Sequence, residues 1–297
     1  MTREQILIFG GIPQTYLDQW EITSDLGLIE HKLGVHFVEI STETLIQQMQ
    51  HLTKHERETV QQITQQLITQ TNPNPQDADL NEEAIAHAVK LYVAMHLFVD
   101  EYHASAVTIV CRPWIQNAEI TTPCIALMLF QEAGVPAACQ GDLDALLTMV
   151  LFKRVAGVMS VMGNNFEVAG QLGVGHCVLS RCFGAASNAL NPYYISDYHG
   201  RQPSPTVHTV IPTDQVVTMA RFTQNLERLI IISGVVVDNR DLPKRCRNTL
   251  IIQVPDTTHV LNLMKDVQQH LVVACGDHQQ ALTEYAQAQG ITVIIGE

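Results

Sequence analysis

Between residues 106 and 151 short β-branched runs alternate with longer apolar segments of helical length, and that order restricts the fold more than any other feature of the chain. AVTIV at 106–110 reads as a strand ending at Cys111. The segment 125–133 reads as an apolar helix stopped by Gly134. VPAA at 135–138 reads as a second short strand, and 143–155 as a further apolar helix that Asp142 or Asp144 is placed to cap. Strand, helix, strand, helix is the construction of a parallel sheet with helical crossovers.

The same order opens the chain. A strand fits 6–9, a helix 25–33 closed by Gly34, a strand 35–39, and a helix beginning at Ser41 and Thr42 and reaching about Leu52. The run 55–70 places Val60, Ile63, Leu67 and Ile68 at helical intervals, so an amphipathic helix is expected there. NPNPQDAD at 72–79 breaks it, and 80–103 resumes as a more apolar helix.

After a buried strand at 158–162 the pattern changes. Short apolar runs at 177–179, 206–211, 216–222, 229–237 and 249–254 are separated by turn residues, Pro203, Pro205, Pro212, Asn239 and Pro243 among them, which suits an antiparallel barrel or sandwich. A helix at 259–267, a strand at 270–275, a helix at 277–289 and a strand at 291–295 close the sequence. The expected fold is therefore α/β. A parallel sheet flanked by helices, a Rossmann-like domain over 1–170, precedes a mainly antiparallel, barrel-like domain over 171–297 that ends in a strand-helix-strand segment.

Charge excludes two function classes. With 30 acidic against 17 basic residues and no Lys/Arg-rich block, neither nucleic acid nor an anionic membrane surface is an expected partner. The seven cysteines include no CxxC pair, and the apolar run at the start is too short for a signal peptide, so reduced thiols in the cytoplasm are expected. No apolar stretch approaches the roughly 20 residues of a membrane-spanning helix. Gly10 and Gly11 lack the spacing of a dinucleotide fingerprint, and neither a phosphate-binding Walker sequence nor a nucleophile elbow is present.

Two carboxylates, Glu119 and Asp142, follow two successive strands of the expected parallel sheet, at the edge where ligands bind in open α/β folds. Two carboxylates and an imidazole suit a divalent cation that keeps positions open for substrate oxygens. Each residue also has a plainer reading: Asp142 as a helix N-cap, Glu119 as a surface carboxylate, His270 as an edge-of-core histidine donating to a backbone carbonyl. Trp114 can stack on a sugar or fill the core. Asn164 and Asn165 can bind hydroxyls or form a turn.

The run CRP at 111–113, Glu119, Pro123-Cys124, then GVPAACQGD at 134–142 and ALLTM at 145–149, resembles the central region of the L-fucose isomerase and L-arabinose isomerase superfamily. Gln269-His270, leading through Cys275-Gly276-Asp277 to GITV at 290–293, is similar to the family segment that carries a metal-binding histidine. The resemblance implies a shortened cytoplasmic member without the family's extra N-terminal domain, assembled as a homo-oligomer. It implies interconversion of an aldose and a ketose through an enediol on a small sugar or sugar derivative. Glu119, Asp142 and His270 are the implied ligands of a divalent cation, Mn²⁺ first, with Mg²⁺ or Co²⁺ as the alternatives, and the two carboxylates are the implied acid/base pair. Trp114, Gln140, Asn164, Asn165, His176 and His199 are the candidate substrate contacts, His176 and His199 because they lie in segments where the family has histidines near the sugar. Gln140 stands where the family pattern has an acid. The alternative is a catalytically degenerate sugar- or metabolite-binding regulatory protein of the same fold.

Overall fold

The first strand, β1 (Glu4–Phe9), carries Ile6, Leu7, Ile8 and Phe9, all at most 1% exposed. A strand apolar on both sides in succession belongs in the middle of a sheet covered on both faces, and the structure puts it there. This computed structural model describes residues 4–11, 25–70, 72–73, 81–111, 121–176, 193–198, 201–209, 211–223, 225–240, 248–265 and 270–296.

β1 lies between β2 (Val35–Ile40) and β4 (Ala104–Ile109), and β5 (Ala137–Ala138) completes a parallel sheet of order β2-β1-β4-β5. The connections are helical: α1 (Leu26–Leu33), α2 (Thr42–Gln50), α3 (Lys54–Gln70), α4 (Glu82–Tyr102) and α5 (Cys124–Glu132). Their ends follow local chemistry. Asp25, Ser41 and Asn81 each accept a backbone N–H of the first turn of α1, α2 and α4, and Gly34 closes α1 in the left-handed conformation.

β5 is shorter than its expected run of 135–138. The N–H of Val135 is spent on the carbonyl of Phe130 at the end of α5, and Pro136 has no N–H to give, so only its carbonyl joins the sheet, accepting from Val107 at 3.0 Å.

α6 (Leu143–Ala156) leaves this sheet and packs against the second one. Here β6 (Val161–Val168), β7 (Gln171–His176), β10 (Val216–Thr223), β11 (Arg228–Arg240), β12 (Asn248–Gln253) and β13 (His270–Cys275) run β10-β13-β6-β7-β12-β11, and β11 pairs back onto β10 to close an antiparallel barrel. The 158–162 run therefore opens the barrel, its strand beginning at Val161, and Asn164 and Asn165 lie within β6 instead of in a turn. β3 (Asn72–Pro73), β8 (Tyr193–Tyr198) and β9 (Arg201–Thr209) form a small third sheet. After α7 (Thr257–Leu263) and β13 come α8 (Gln279–Ala288) and β14 (Thr292–Gly296), the latter pairing in parallel with β11. No helix among the described residues is long and apolar enough to cross a membrane.

Strand alternation divides the barrel's side chains between two cores. Val217 and Met219 of β10, with Leu271 and Val273 of β13, belong to the barrel interior. Ala220, Phe222, Val272 and Ala274 belong to the larger core shared with the parallel sheet and its helices. The two sheets thus meet across α6, and Thr148 fixes the contact by accepting the Phe222 N–H at 2.9 Å.

β11 can serve three neighbours because its first part pairs with β10 and β14 and its last part with β12. Gly234 sits at that changeover, where an added methyl would lie 2.6 Å from Ile252 and 2.8 Å from the Gln253 carbonyl. Backbone cannot yield as a side-chain tip can, so Gly234→Ala is expected to lower stability by about 1–3 kcal/mol. Urea denaturation should show the midpoint falling at unchanged slope.

Candidate functional site

Asp142 ends the loop after β5. Gly141, with φ +70°, donates to the Ile109 carbonyl at 3.0 Å, and Gln140, with φ +61°, donates its N–H to the Cys111 sulfur at 3.2 Å. This tight return directs Asp142 onto the first turn of α6, where its Oδ1 accepts the Ala145 N–H at 2.9 Å. The N-cap reading of Asp142 is therefore correct, and it is only part of what the residue does.

The rest of the carboxylate meets the barrel. Arg221 of β10 donates through Nη1 to Oδ2 at 2.9 Å and through Nη2 to Oδ1 at 3.1 Å, a bidentate pair. His270, the first residue of β13, presents Nδ1 to Oδ2 at 2.8 Å. Arg221 Nη1 also donates to the His270 carbonyl at 3.1 Å, and Asp144 stands 3.9 Å from Nη2. Arg221, Asp142 and His270 are 0%, 1% and 2% exposed. His270 thus turns to a carboxylate and not, as the plainer reading had it, to a backbone carbonyl. Its Nε2 is buried and has no hydrogen-bond partner among the described residues.

Charge in such a place must be balanced locally. Among these described groups, Asp142 and Asp144 against Arg221 leave one negative charge, which an imidazolium at position 270 would cancel. The protonation tendencies agree. Burial alone would push the Asp142 carboxyl up, but the charge of Arg221 and the hydrogen bond from His270 outweigh it and hold the group well below the usual carboxylate range. Burial would push His270 down, but the hydrogen bond and charge of Asp142 outweigh it and raise the imidazole above its ordinary value.

These shifts predict how stability follows pH. The Asp142 contribution is complete above its unfolded value of about 4 and is lost as pH falls toward its depressed folded value; the His270 contribution is complete below about 6.5 and is lost as pH rises through its raised folded value. Among these two groups, unfolding free energy should therefore be greatest between about pH 4 and 6.5. Denaturant titrations across that range and above it should show an alkaline decline that flattens in His270→Asn.

The cation expectation meets a specific obstacle. A carboxylate offers about four lone-pair positions, and at Asp142 each oxygen already accepts twice: Oδ1 from Ala145 and Arg221, Oδ2 from Arg221 and His270. The Arg221 guanidinium, 2.9 Å from Oδ2, would also repel a cation brought to this carboxylate. The arrangement does not fit Asp142 as a ligand, and no group of three or more His, Cys, Asp or Glu suited to a metal occurs among the described residues.

The other expected residues are more scattered. Glu119, Trp114 and His199 lie outside the described residues. Gln140 is half-buried beside Asp142. Asn164 and Asn165 are half-buried on β6, Asn164 paired in register with His270, and His176 ends β7 opposite Asn248. Sequence reasoning missed Arg221. The signal was present: Arg221 is the one charged residue in β10, VVTMARFT, in which only Val216 is exposed.

No protein-family model matches this chain. A sulfoquinovose isomerase from Clostridium sp. (strain MSTE9) is 23% identical over 266 residues, which cover 86% of this chain and 57% of that protein. The chain thus spans little more than half the length of the curated relative it matches, and the likeness is a distant one to a sugar isomerase.

Proposed function

We propose that this chain is a sugar isomerase that interconverts an aldose and a ketose, with His270 as the group that meets the reacting oxygens. One observation carries the reading: the His270 ring is held at Nδ1 by Asp142 at 2.8 Å, while its buried Nε2 has no partner among the described residues. A buried N–H without an acceptor costs about 1–3 kcal/mol, an expense that a bound carbonyl or hydroxyl oxygen relieves. The distant likeness to sulfoquinovose isomerase supports the substrate class.

In this reading the base is Glu119, the carboxylate that the motif resemblance assigns to acid/base work. It takes the proton from C2 of the open-chain aldose. The C–H electron pair becomes the C1–C2 double bond, and the carbonyl oxygen at C1 takes the Nε2 proton of His270, giving the enediol. Glu119 then returns its proton to C1, the hydroxyl at C2 gives its proton back to Nε2, and the C2 ketone forms. Asp142 keeps the imidazole in one orientation throughout and offsets its charge. A donor fixed in a dry site stabilises developing negative charge on oxygen without reorganising.

The test is exchange of the C2 hydrogen. The full chain would be incubated in D₂O with sulfoquinovose, L-fucose and L-arabinose, and both deuterium at C2 and ketose signals would be followed by NMR. Incorporation with at least one of these aldoses is the expected result. Binding of a sugar with no incorporation would replace the isomerase by the sugar-binding reading.

A further inference from the structure

We infer that Arg221 is the resident cation of this site, and that Asp142 is not a ligand to a divalent ion in the folded chain. The inference stands on the geometry of the cluster and is independent of the proposed isomerisation. Both oxygens of Asp142 are engaged twice, by Arg221, His270 and the Ala145 N–H. For a metal to bind there, the bidentate fork would have to leave. Arg221 is 0% exposed, and its Nη1 is held a second time by the His270 carbonyl at 3.1 Å. A displaced guanidinium would stay buried, now a few ångströms from a doubly charged ion, and that repulsion is large wherever water is excluded. Both carboxylates already have a cation beside them without a metal: Asp142 lies 2.9 Å and Asp144 3.9 Å from the guanidinium.

This assignment also defines what the site can accept. On the imidazole side of the cluster, His270 Nε2 is buried and has no hydrogen-bond partner among the described residues. A single ring nitrogen is a poor start for a Mn²⁺ or Mg²⁺ site, which draws on several oxygen ligands. It suits one oxygen of a polar molecule, a carbonyl or a hydroxyl, that binds without bringing a cation.

The experiment uses the full chain stripped of metal, with Mn²⁺ alone as the probe. Calorimetric titration would compare the wild type with Asp142→Asn, which keeps the helix cap while removing the charge. In parallel, the NMR signals of the His270 ring and the Arg221 guanidinium would be followed, since bound Mn²⁺ broadens nuclei near it. The expected result is that both sets of signals survive one equivalent of Mn²⁺, and that any uptake is the same in Asp142→Asn. Uptake that disappears in Asp142→Asn would overturn the inference. If that variant does not fold, loss of the His270 and Arg221 signals in the wild type at one equivalent would overturn it equally. Because neither readout involves turnover, a metal found on Asp142 refutes this inference alone, whereas failure of C2 exchange refutes the isomerase alone.

Discussion

Replacing Arg221 by Met is expected to lower stability by about 3–5 kcal/mol, the cost typical of removing one partner from a buried ion pair. Met matches much of the length and apolar bulk of the arginine stem, so the loss comes mainly from the charge. Asp142 would remain 1% exposed with its bidentate partner gone, and Asp144 would lose the cation that stands 3.9 Å away. The double variant Arg221→Met/Asp142→Asn separates this cause from a packing defect. Asn keeps an oxygen for the Ala145 N–H, so α6 stays capped while the orphaned charge disappears. The double variant should therefore be markedly more stable than Arg221→Met alone, although it carries one more substitution. Guanidinium denaturation of the four proteins in the cycle measures the coupling directly. If the double variant loses as much as the sum of the two single ones, charge pairing is not what holds α6 to β10.

The contrast between Asp142 and Arg221 shows how far the sequence could be read. The cap at Asp142 was legible because its partner is three residues away, and the same holds for Asp25, Ser41 and Asn81. So was the parallel order of the first strands, which follows from apolar runs and turn residues that act locally. The Arg221 and His270 bonds to Asp142 join positions 79 and 128 residues apart. No local rule foretells which carboxylate a strand arginine will meet once the barrel closes against α6. The motif resemblance did select Asp142 and His270 as companions, and the structure brings their side chains into contact. What it implied between them was a metal, and it gave no hint of a guanidinium, because its pattern includes no residue of β10. The shortening of β5 was hidden for another reason. VPAA has the composition of a strand, but the end of α5 claims the Val135 N–H first.

His270→Asn is expected to reduce isomerisation by about 10²–10⁴-fold, the range that a positioned acid/base group contributes, while leaving the fold largely intact. The choice of residue matters. The amide nitrogen of Asn stands near where Nδ1 does in histidine, so it can still donate to Asp142 Oδ2, a bond that is 2.8 Å long with the native ring. Nothing replaces Nε2. The variant should bind sugar with an affinity close to that of the wild type, because one hydrogen bond to the substrate is lost, and fail in turnover, because that bond is the one that strengthens as charge develops on oxygen. A fall in kcat with KM nearly constant, measured by ketose formation, is thus the expected pattern. His270→Gln is the complementary probe. Its amide reaches toward the Nε2 position while giving up the Asp142 bond, so it should destabilise the protein more than Asn and inactivate it as well. If His270→Asn retained wild-type turnover, Nε2 would have no part in the reaction and the ring would serve only to balance the charge of Asp142 and Asp144 against Arg221. Activity lost only in step with stability across the two variants would point the same way. An imidazole that meets the substrate must separate the two readouts, since its Nδ1 side belongs to the fold and its Nε2 side to the chemistry.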